Sequence, residues 1–519
     1  MRNRELAAGW AYHDGTKHSY WSVHHNAHYL DWPNKPLPFK IYPTINPIEL
    51  PREAPPLDMP ALEAVSATGI AVEGHAVPDL KSLVQILYYS AGITKIKKYT
   101  GDETQFRAAS CTGALYEIEL YLVCGDLPDL EAGVYHFGAH DLSLRRLRKG
   151  DWRGVLARAT AGEPGVMNAP VVIVCAGTYW RNAWKYQART YRHFGWDNGT
   201  MLANLTATAT ALNLPSRLVM GFVDDDVNRL LSLDTDREVA FSMVSLGRTS
   251  TPPPEPPIEI EPLVLETMPL SPSEVDYPAM REMHAASSLV DEAEVRVWRG
   301  HAPQQKFPEP GAELIPLRPL GDDEMSREGL GTVILKRGST RRFDSQASLS
   351  FERFSTLLHR SMQPIAADFL DPAGAHLNQL YLIVHAVDGL QPGAYVLHRD
   401  RWAIELLKAG EFRSEAGYLG LGQALPAEAC ATMFFIADLN AVFERFGNRG
   451  YRAAQLEAGV IGGKMYLAAY GQGFGATGLT FFDDDVIEFF SPHAEDRSAI
   501  FHVAIGRSAK RRMAVIGEE

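Results

Sequence analysis

The chain has 519 residues, enough for two large domains or about three of ordinary size. Hydrophobic residues make up 46% and charged residues 22% of the sequence, as in soluble globular proteins, which excludes a wholly disordered chain. The 50 Lys+Arg against 63 Asp+Glu give a net charge of -13, which argues against nucleic acid as a partner, and the lack of any apolar run of about 18 residues argues against a membrane-spanning helix.

The N-terminus and the cysteines predict a cytoplasmic protein. Acidic and polar residues interrupt the first residues before an apolar signal segment could form, so we expect no secretory signal. Four cysteines are too few for a disulfide framework, and three of them lie in apolar, strand-like runs, as in proteins of a reducing compartment. The cysteines are Cys111, Cys124, Cys175 and Cys430.

Residues 1–59 form an N-terminal arm rich in aromatic residues and proline. We expect this arm to wrap the body as an extended strap that its aromatic side chains pin in place. His24 and His28 have the spacing of a helical pair of metal ligands, but the sequence offers no third ligand at a suitable spacing. We therefore expect no metal site.

Residues 60–250 mix helix and strand signals without regular βαβ alternation, which predicts an α+β fold. Residues 78–92 have the 3.6-residue apolar period of a helix, and residues 201–212 predict a second one. The runs that predict strands are residues 118–123, 134–137, 170–177, 216–222 and 240–247.

A loop of small residues joins the first helix to these strands, with the sequence Arg107-Ala-Ala-Ser110-Cys111-Thr112-Gly113. Glycine and small hydroxylic residues allow the backbone to approach a flat ligand closely. The alternative is an ordinary turn. Cys111 could be a redox-active thiol, but inert packing is the commoner role of such a cysteine.

Lys185 and Tyr186 are the candidate acid–base pair. An ammonium group beside a phenol stabilises the phenolate and moves its pKa towards neutrality, which would make Tyr186 a usable base. The alternative is an exposed dipeptide without a chemical role.

Residues 251–324 form a connector between two larger regions. Its start, TSTPPPEPPIEIEP, is dense in proline and predicts extended, polyproline-like backbone. Residues 274–298 have helical spacing and should pack across both regions.

Residues 325–519 open with a basic turn, Lys336-Arg337-Gly-Ser339-Thr-Arg341-Arg342. Guanidinium groups match the oxygens of phosphate, so the turn predicts an anion site, although a solvated basic turn is the alternative. The corresponding segment of the earlier region, residues 66–72, has no arginine. Residues 473–478 fit GxGxxG but follow a helix signal and precede a strand signal, the reverse of the dinucleotide fingerprint.

The sequence repeats itself, because residues 130–135 (LEAGVY) return at 390–395 as LQPGAY, a spacing of 260. RTYR at 189–192 returns as RGYR at the same spacing, and FVDDD at 222–226 returns at 481–485 as FFDDD. Chance does not hold one register over so long a stretch, so we infer a tandem duplication. Residues 60–250 are called the first copy below, and residues 325–519 the second copy.

Together these motifs resemble the FMN-dependent nitroreductase superfamily and, within it, the SagB/ThcOx-type dehydrogenases, which oxidise azolines to azoles in ribosomal peptide natural products. RGSTRRF, which begins at Arg337, resembles the superfamily's phosphate-binding opening. RAASCTGALYEIELYLV, which begins at Arg107, resembles its flavin loop, and WKYQARTYR, which contains Lys185, resembles the Lys-Tyr motif of the azoline oxidases.

The resemblance implies a fold that is normally an obligate dimer with FMN at the interface, so a tandem chain would form an intramolecular pseudo-dimer. It implies one composite site, in which the arginines of the second copy meet the loop of the first beside the catalytic residues Lys185 and Tyr186. The cofactor-binding residues that it implies are Arg107, Ser110, Thr112, Gly113, Arg337, Ser339, Arg341, Thr477, Gly478, Arg507 and Arg511.

The function we expect is that of an FMN-dependent dehydrogenase or oxidase for a peptide- or amino acid-derived heterocycle such as an azoline. One alternative is an NAD(P)H-dependent reductase of nitro compounds or quinones, and another is a flavin-free scaffold subunit. We expect a small-molecule or peptide substrate, membership of a peptide-modifying complex, and a chain that is stable as a monomer.

Overall fold

The computed structural model describes residues 2–52, 56–67, 74–99, 102–304 and 308–509. The first copy and one strand of the arm build a seven-stranded antiparallel sheet, and the second copy and one strand of the connector build another. Helices surround both sheets, so the predicted α+β class is confirmed. The strands of the first half are β1 (Pro47–Glu49), β2 (Ile93–Tyr99), β3 (Asp102–Arg107), β4 (Ile118–Cys124), β5 (Gly133–Gly138), β6 (Ser143–Lys149), β7 (Val171–Thr178), β8 (Ser216–Val219) and β9 (Glu238–Leu246). Those of the second half are β10 (Leu314–Pro316), β11 (Leu349–Ser350), β12 (Asn378–Val384), β13 (Val387–Asp388), β14 (Gly393–His398), β15 (Ala403–Ala409), β16 (Ala431–Ala437), β17 (Gly475–Leu479) and β18 (Ser498–Gly506).

The two large sheets have the same topology. The first has the order β1-β6-β5-β4-β7-β9-β8, and the second has the order β10-β15-β14-β12-β16-β18-β17, in which each strand is the counterpart of the strand at the same place in the first. The central strands β4, β7, β12 and β16 are buried along their whole length, which explains why most of their residues are apolar.

The helices of the first half are α1 (Ala7–Gly15), α2 (Tyr20–His24), α3 (Ala61–Ser66), α4 (Leu80–Ala91), α5 (Arg153–Ala159), α6 (Pro164–Met167), α7 (Tyr179–Tyr186), α8 (Thr190–Ala211) and α9 (Asp224–Leu231). The others are α10 (Pro278–Ala286), α11 (Glu292–Trp298), α12 (Leu330–Lys336), α13 (Phe351–Ser361), α14 (Arg413–Leu419), α15 (Ala424–Glu428), α16 (Leu439–Phe446), α17 (Arg449–Gly471) and α18 (Asp483–Phe490). In the described part of the chain, no helix is both long and apolar enough to cross a membrane.

The long helices α8 and α17 join the two copies at the centre of the molecule. They touch backbone to backbone, since a Cβ atom added at Gly199 would lie only 2.5 Å from the main chain of Gly459. The indole Nε1 of Trp196 donates a hydrogen bond to Oε1 of Gln455 at 2.6 Å across the same interface. Glycine at these positions is therefore required by the close approach of the helices.

The repeated Arg and Asp motifs form reciprocal ion pairs between the copies. Two arginines of the first copy bind an aspartate at the start of α18, and their counterparts bind the equivalent aspartate of α9. This exchange is the signature of a two-fold interface, here within one chain, as the predicted pseudo-dimer requires. The pairs are Arg189–Asp483 at 3.0 Å, Arg192–Asp483 at 2.6 Å, Arg449–Asp224 at 2.6 Å and Arg452–Asp224 at 2.8 Å.

The N-terminal arm is not extended throughout, as the sequence had led us to expect, because it begins with helices α1 and α2. The prolines of the arm start only at Pro33, and a capping box between Ser19 and Ser22 stabilises the start of α2. The arm touches both copies: the Asn3 side chain donates to the carbonyl of Phe446, and the Lys40 backbone N–H donates to Glu119.

The connector contains two helices rather than the single predicted one, since residues 287–291 separate α10 from α11. Asp291 caps α11 by accepting a hydrogen bond from the N–H of Glu294. His284 of α10 contacts Tyr191 of the first copy and accepts a hydrogen bond from Arg452 of the second. The connector thus packs across both copies, as predicted.

Candidate active site

The basic turn of the second copy reaches the loop of the first copy through Arg337. The Nε and Nη2 atoms of Arg337 donate to the carbonyl oxygen of Ala108 at 3.0 and 2.8 Å. The guanidinium lies over the ring of Tyr466, 5.5 Å from its centroid, and burial lowers the pKa of Arg337. Among the described residues its buried Nη1 finds no hydrogen-bond partner. This contact brings the predicted anion turn and the predicted flavin loop together.

Tyr466 of α17 contacts three of the predicted cofactor-binding residues, Arg337, Ser339 and Gly478, although the sequence analysis did not single it out. Its hydroxyl lies 3.2 Å from Oγ of Ser339 and accepts a hydrogen bond from the backbone N–H of Gly478. Thr477, the neighbour of Gly478 on β17, is buried. Ser339 and the Thr477–Gly478 segment therefore line one wall of the site beside Arg337.

Asp197 of α8 holds the loop of the first copy in place. The backbone N–H of Thr112 lies 2.9 Å from both carboxylate oxygens of Asp197, and the Thr112 hydroxyl donates to Oδ1 at 2.9 Å. The Thr200 hydroxyl donates to the carbonyl oxygen of Ser110 at 2.7 Å. The loop conformation is thus fixed by side chains of the central helix.

Gly113 cannot be replaced by a larger residue without disturbing Tyr186. Its φ of +66° lies in the left-handed region, and a Cβ atom there would lie 3.0 Å from the hydroxyl oxygen of Tyr186. The loop and the predicted acid–base residue are therefore in direct contact.

Cys111 takes part in a buried cluster with two carboxyl groups. Its Sγ lies 3.3 Å from Oε2 of Glu117 and 3.4 Å from Oδ2 of Asp197. Burial and these two acids raise the pKa of Cys111 well above its usual value, so the thiol stays protonated and donates. The ligand-type atoms of the three residues lie within 4.8 Å of one another, a spacing that could hold a metal, but their hydrogen bonds already account for it.

The protonation of Tyr186 differs from the sequence-based expectation. Lys185 Nζ lies 5.2 Å from the centroid of the Tyr186 ring, yet the pKa of Tyr186 is raised, by burial first and then by Asp197, Cys111 and Glu117. The expectation failed because it considered Lys185 alone, whereas the cation that opposes the rise is Arg341. Burial and the positive charge of Arg341 also lower the pKa of Lys185. Tyr186 is therefore suited to donate a proton, and Lys185 to accept one.

His193 and Asn182 form a network beneath Tyr186 that the sequence analysis missed. The His193 ring meets the Tyr186 ring edge-on, with centroids 4.7 Å apart, and its Nδ1–H donates to Oδ1 of Asn182 at 2.7 Å. The Asn182 amide lies 3.5 Å from the carbonyl of Thr112. A spacing of 260 places Ala453 and Val442 at the corresponding positions of the second copy, a difference that could have pointed to them.

Three further predicted cofactor contacts are Arg107, Arg507 and Arg511. The guanidinium of Arg107 donates to the carbonyl of Pro38 and lies between the rings of Phe39 and Tyr116, so it anchors the arm. Arg507 is exposed, and its carbonyl accepts a hydrogen bond from the N–H of Asp344 at 2.8 Å. Arg511 lies outside the described residues.

At the pseudo-symmetric counterpart of this site, backbone hydrogen bonds join the two copies. Leu218 donates to the carbonyl of Ala366 at 2.9 Å and accepts from the N–H of Asp368 at 3.0 Å. Gly478, the counterpart of Leu218 in the strand register, makes no such hydrogen bonds to residues 106–108 within the described ranges. The two copies therefore differ in backbone as well as in charge.

Known proteins match this chain in sequence and in structure. The model of the Nitroreductase family matches residues 106–248 and 334–507, a part of each copy. A candidate nitroreductase of Methanocaldococcus jannaschii is 25% identical over 199 residues, which cover 37% of this chain and 96% of that protein.

A crystal structure of a candidate nitroreductase from Anabaena variabilis aligns over 97% of this chain and 99% of its own, with a TM-score of 0.77 and 25% identity. The E. coli microcin synthetase McbBCD complex aligns over 45% of this chain and 82% of its own, with 18% identity and a TM-score of 0.30, which is too little similarity to bear on function.

Proposed function

The chain belongs to the nitroreductase family, and we propose that it is an FMN-dependent dehydrogenase or oxidase of a peptide- or amino acid-derived heterocycle such as an azoline. The observation that carries this proposal is the composite site, in which Arg337 of the second copy crosses to the loop of the first beside Lys185 and Tyr186. The family and the fold support an oxidoreductase activity, and the Lys185–Tyr186 pair supports oxidation of the substrate rather than its reduction.

The residues of the composite site fit FMN. The buried Nη1 of Arg337 has no partner among the described residues, and an anionic phosphate would supply one. Ser339 and Arg341 lie on the same turn and add a hydroxyl and a second guanidinium. Gly113, with its positive φ, lets the loop approach the hydroxyl of Tyr186 closely.

Oxidation of an azoline removes a hydride and a proton from adjacent atoms of the ring. Bound FMN would supply the hydride acceptor, later reoxidised by oxygen or another acceptor. Lys185, whose pKa is lowered, would take the proton at Nζ, and the Tyr186 hydroxyl would donate a hydrogen bond to the heteroatom of the substrate. Asp197, through Thr112, would keep the loop in position for both groups.

The test begins with the purified protein. We expect a yellow protein that releases FMN on denaturation, and anaerobic mixing with an azoline-containing peptide should bleach the flavin absorbance in a stopped-flow experiment. Bleaching by NAD(P)H alone would favour the nitro- or quinone-reductase alternative. A colourless protein that does not bind added FMN would leave only the scaffold alternative.

A further inference from the structure

A cleft lies between the copies at the pseudo-symmetric counterpart of the composite site. It is open to solvent and has an interior volume of about 40 Å³, and α3, α8 and β8 of the first copy face α17 and residues 364–366 of the second. Small side chains line much of it, with two threonines among them. These residues are Ala64, Ala67, Ala203, Thr206, Ala207 and Thr210.

Lys464 of α17 is the cation of this cleft. Its side chain lines the cleft although the residue is only 5% exposed, and Nζ donates one hydrogen bond, to the carbonyl of Gln363 at 3.0 Å. An ammonium group has three N–H donors, so one carbonyl does not satisfy it. In the described part of the chain no carboxylate forms an ion pair with Lys464.

The neighbourhood of Lys464 is short of negative charge. The charged group that acts on it is Arg399, whose own Nη1 is buried without a partner among the described residues. Burial and Arg399 together lower the pKa of Lys464 to about 7. The carboxylate of Glu457, on the same helix, accepts hydrogen bonds from the backbone N–H groups of Leu377 and Asn378. An anion that entered the cleft would stabilise the protonated form of Lys464, and no carboxylate in the described part of the chain pairs with that ammonium group.

The cleft is unsuited to a second FMN. The hydrogen bonds of Leu218 with Ala366 and Asp368 close the gap between β8 and the loop of the second copy. The segment at 66–72 has no arginine to bind a phosphate. A smaller ligand with one negative charge and an apolar body matches the lysine and the alanine walls.

We propose that this cleft is a second ligand site that takes a small organic carboxylate, with the carboxylate on Lys464 and the apolar part along the alanines of α3 and α8. The proposal does not rest on flavin binding or on the reaction of the composite site.

Isothermal titration of the full-length protein, as purified, with benzoate tests the proposal. Wild type should bind benzoate, and Lys464→Met should bind it about tenfold to a hundredfold more weakly, as expected when a hydrogen bond to a charged group is lost. Lys149→Met, at an exposed strand end, is the matched control and should bind like wild type. Neutral benzamide should bind wild type and Lys464→Met equally weakly.

A second variant guards against a change in folding. Thr206→Leu keeps Lys464 but fills part of the cleft, and it should also weaken benzoate binding while leaving the flavin content unchanged. Equal benzoate affinity in wild type and Lys464→Met, or displacement of benzoate by an equal concentration of inorganic phosphate, would overturn the proposal.

Discussion

The hydroxyl of Tyr186 is protonated at neutral pH, because burial and Asp197 raise its pKa above the value of about 10 of a free phenol. Tyr186→Phe removes only this donor and reproduces Phe446, the residue of the second copy. We expect the variant to keep its flavin and to lose roughly 10²–10⁴ of turnover, the usual contribution of a positioned acid–base group. Single-turnover flavin reduction by the azoline peptide measures this, with Tyr418→Phe, an exposed tyrosine, as control. An undiminished rate in Tyr186→Phe would remove the hydroxyl from the mechanism.

Lys185 is the base in our proposal, and its protonation should set the pH dependence of the reaction. Burial and Arg341 lower its pKa from the usual value of about 10.4, and only the neutral amine accepts a proton. Flavin reduction should therefore speed up as pH rises through the pKa of Lys185 and then level off. In Lys185→Met the rate should be low and this rising limb absent, whereas Lys149→Met should retain it. A rate of flavin reduction that still rises with pH in Lys185→Met would assign the proton transfer to another group.

At the scale of elements, the start of α18 is joined to α8 by buried ion pairs. Asp483 accepts from Arg189 and Arg192, and these arginines hold the pKa of Asp483 well below its usual value. Asp483→Asn leaves two buried guanidinium groups poorly compensated, which should lower the free energy of unfolding by roughly 3–5 kcal/mol. Urea unfolding measures this. Asp484→Asn is the control, because its side chain is 74% exposed and pairs with Lys17 at the surface.

Asp483 also makes the free energy of unfolding depend on pH in the acidic range. Its folded pKa is depressed, so its contribution is fully present above the unfolded value of about 3.9 and is lost as pH falls towards the folded value. Wild type should therefore lose stability below about pH 4, and Asp483→Asn should lose less over that range. An equal loss in both proteins would show that other carboxyl groups govern acid unfolding.

The elements that the sequence predicted well are those with strong local patterns. Helix α4 and strands β4, β5 and β7 match the predicted segments to within about two residues, since apolar period and length decide them. The helical start of the arm and the break between α10 and α11 were not predicted, because they depend on helix caps at Ser19 and Asp291. The role of Tyr466 and the pKa of Tyr186 could not be predicted, because both depend on groups that are distant in sequence.

At the scale of the whole molecule, the two copies have diverged so far that we expect one FMN per chain. The composite site has Arg337, whereas the corresponding segment of the first copy, residues 66–72, has no arginine, and Leu218 there is hydrogen-bonded to Ala366 and Asp368. Flavin released on denaturation, divided by protein concentration, should be close to one. Arg337→Ala should lose flavin readily on dialysis, and Arg248→Ala, the counterpart of Arg507, should not. A ratio near two, or equal retention in both variants, would contradict this.

The chain should be a monomer in solution. In a two-fold dimer the face of the central helix is covered by a second subunit, but here α17 covers α8 within the same chain, through Gly199, Gly459 and the Trp196–Gln455 hydrogen bond. The ion pairs of Asp224 and Asp483 are likewise satisfied internally. Light scattering at micromolar concentration should therefore give the mass of one chain, 57.4 kDa. The arm leaves aromatic side chains exposed, among them Trp21 at 69% and Tyr29 at 80%. A stable mass of two chains that reverts to one in Trp21→Ser would show that the arm, rather than the central helices, forms a second interface.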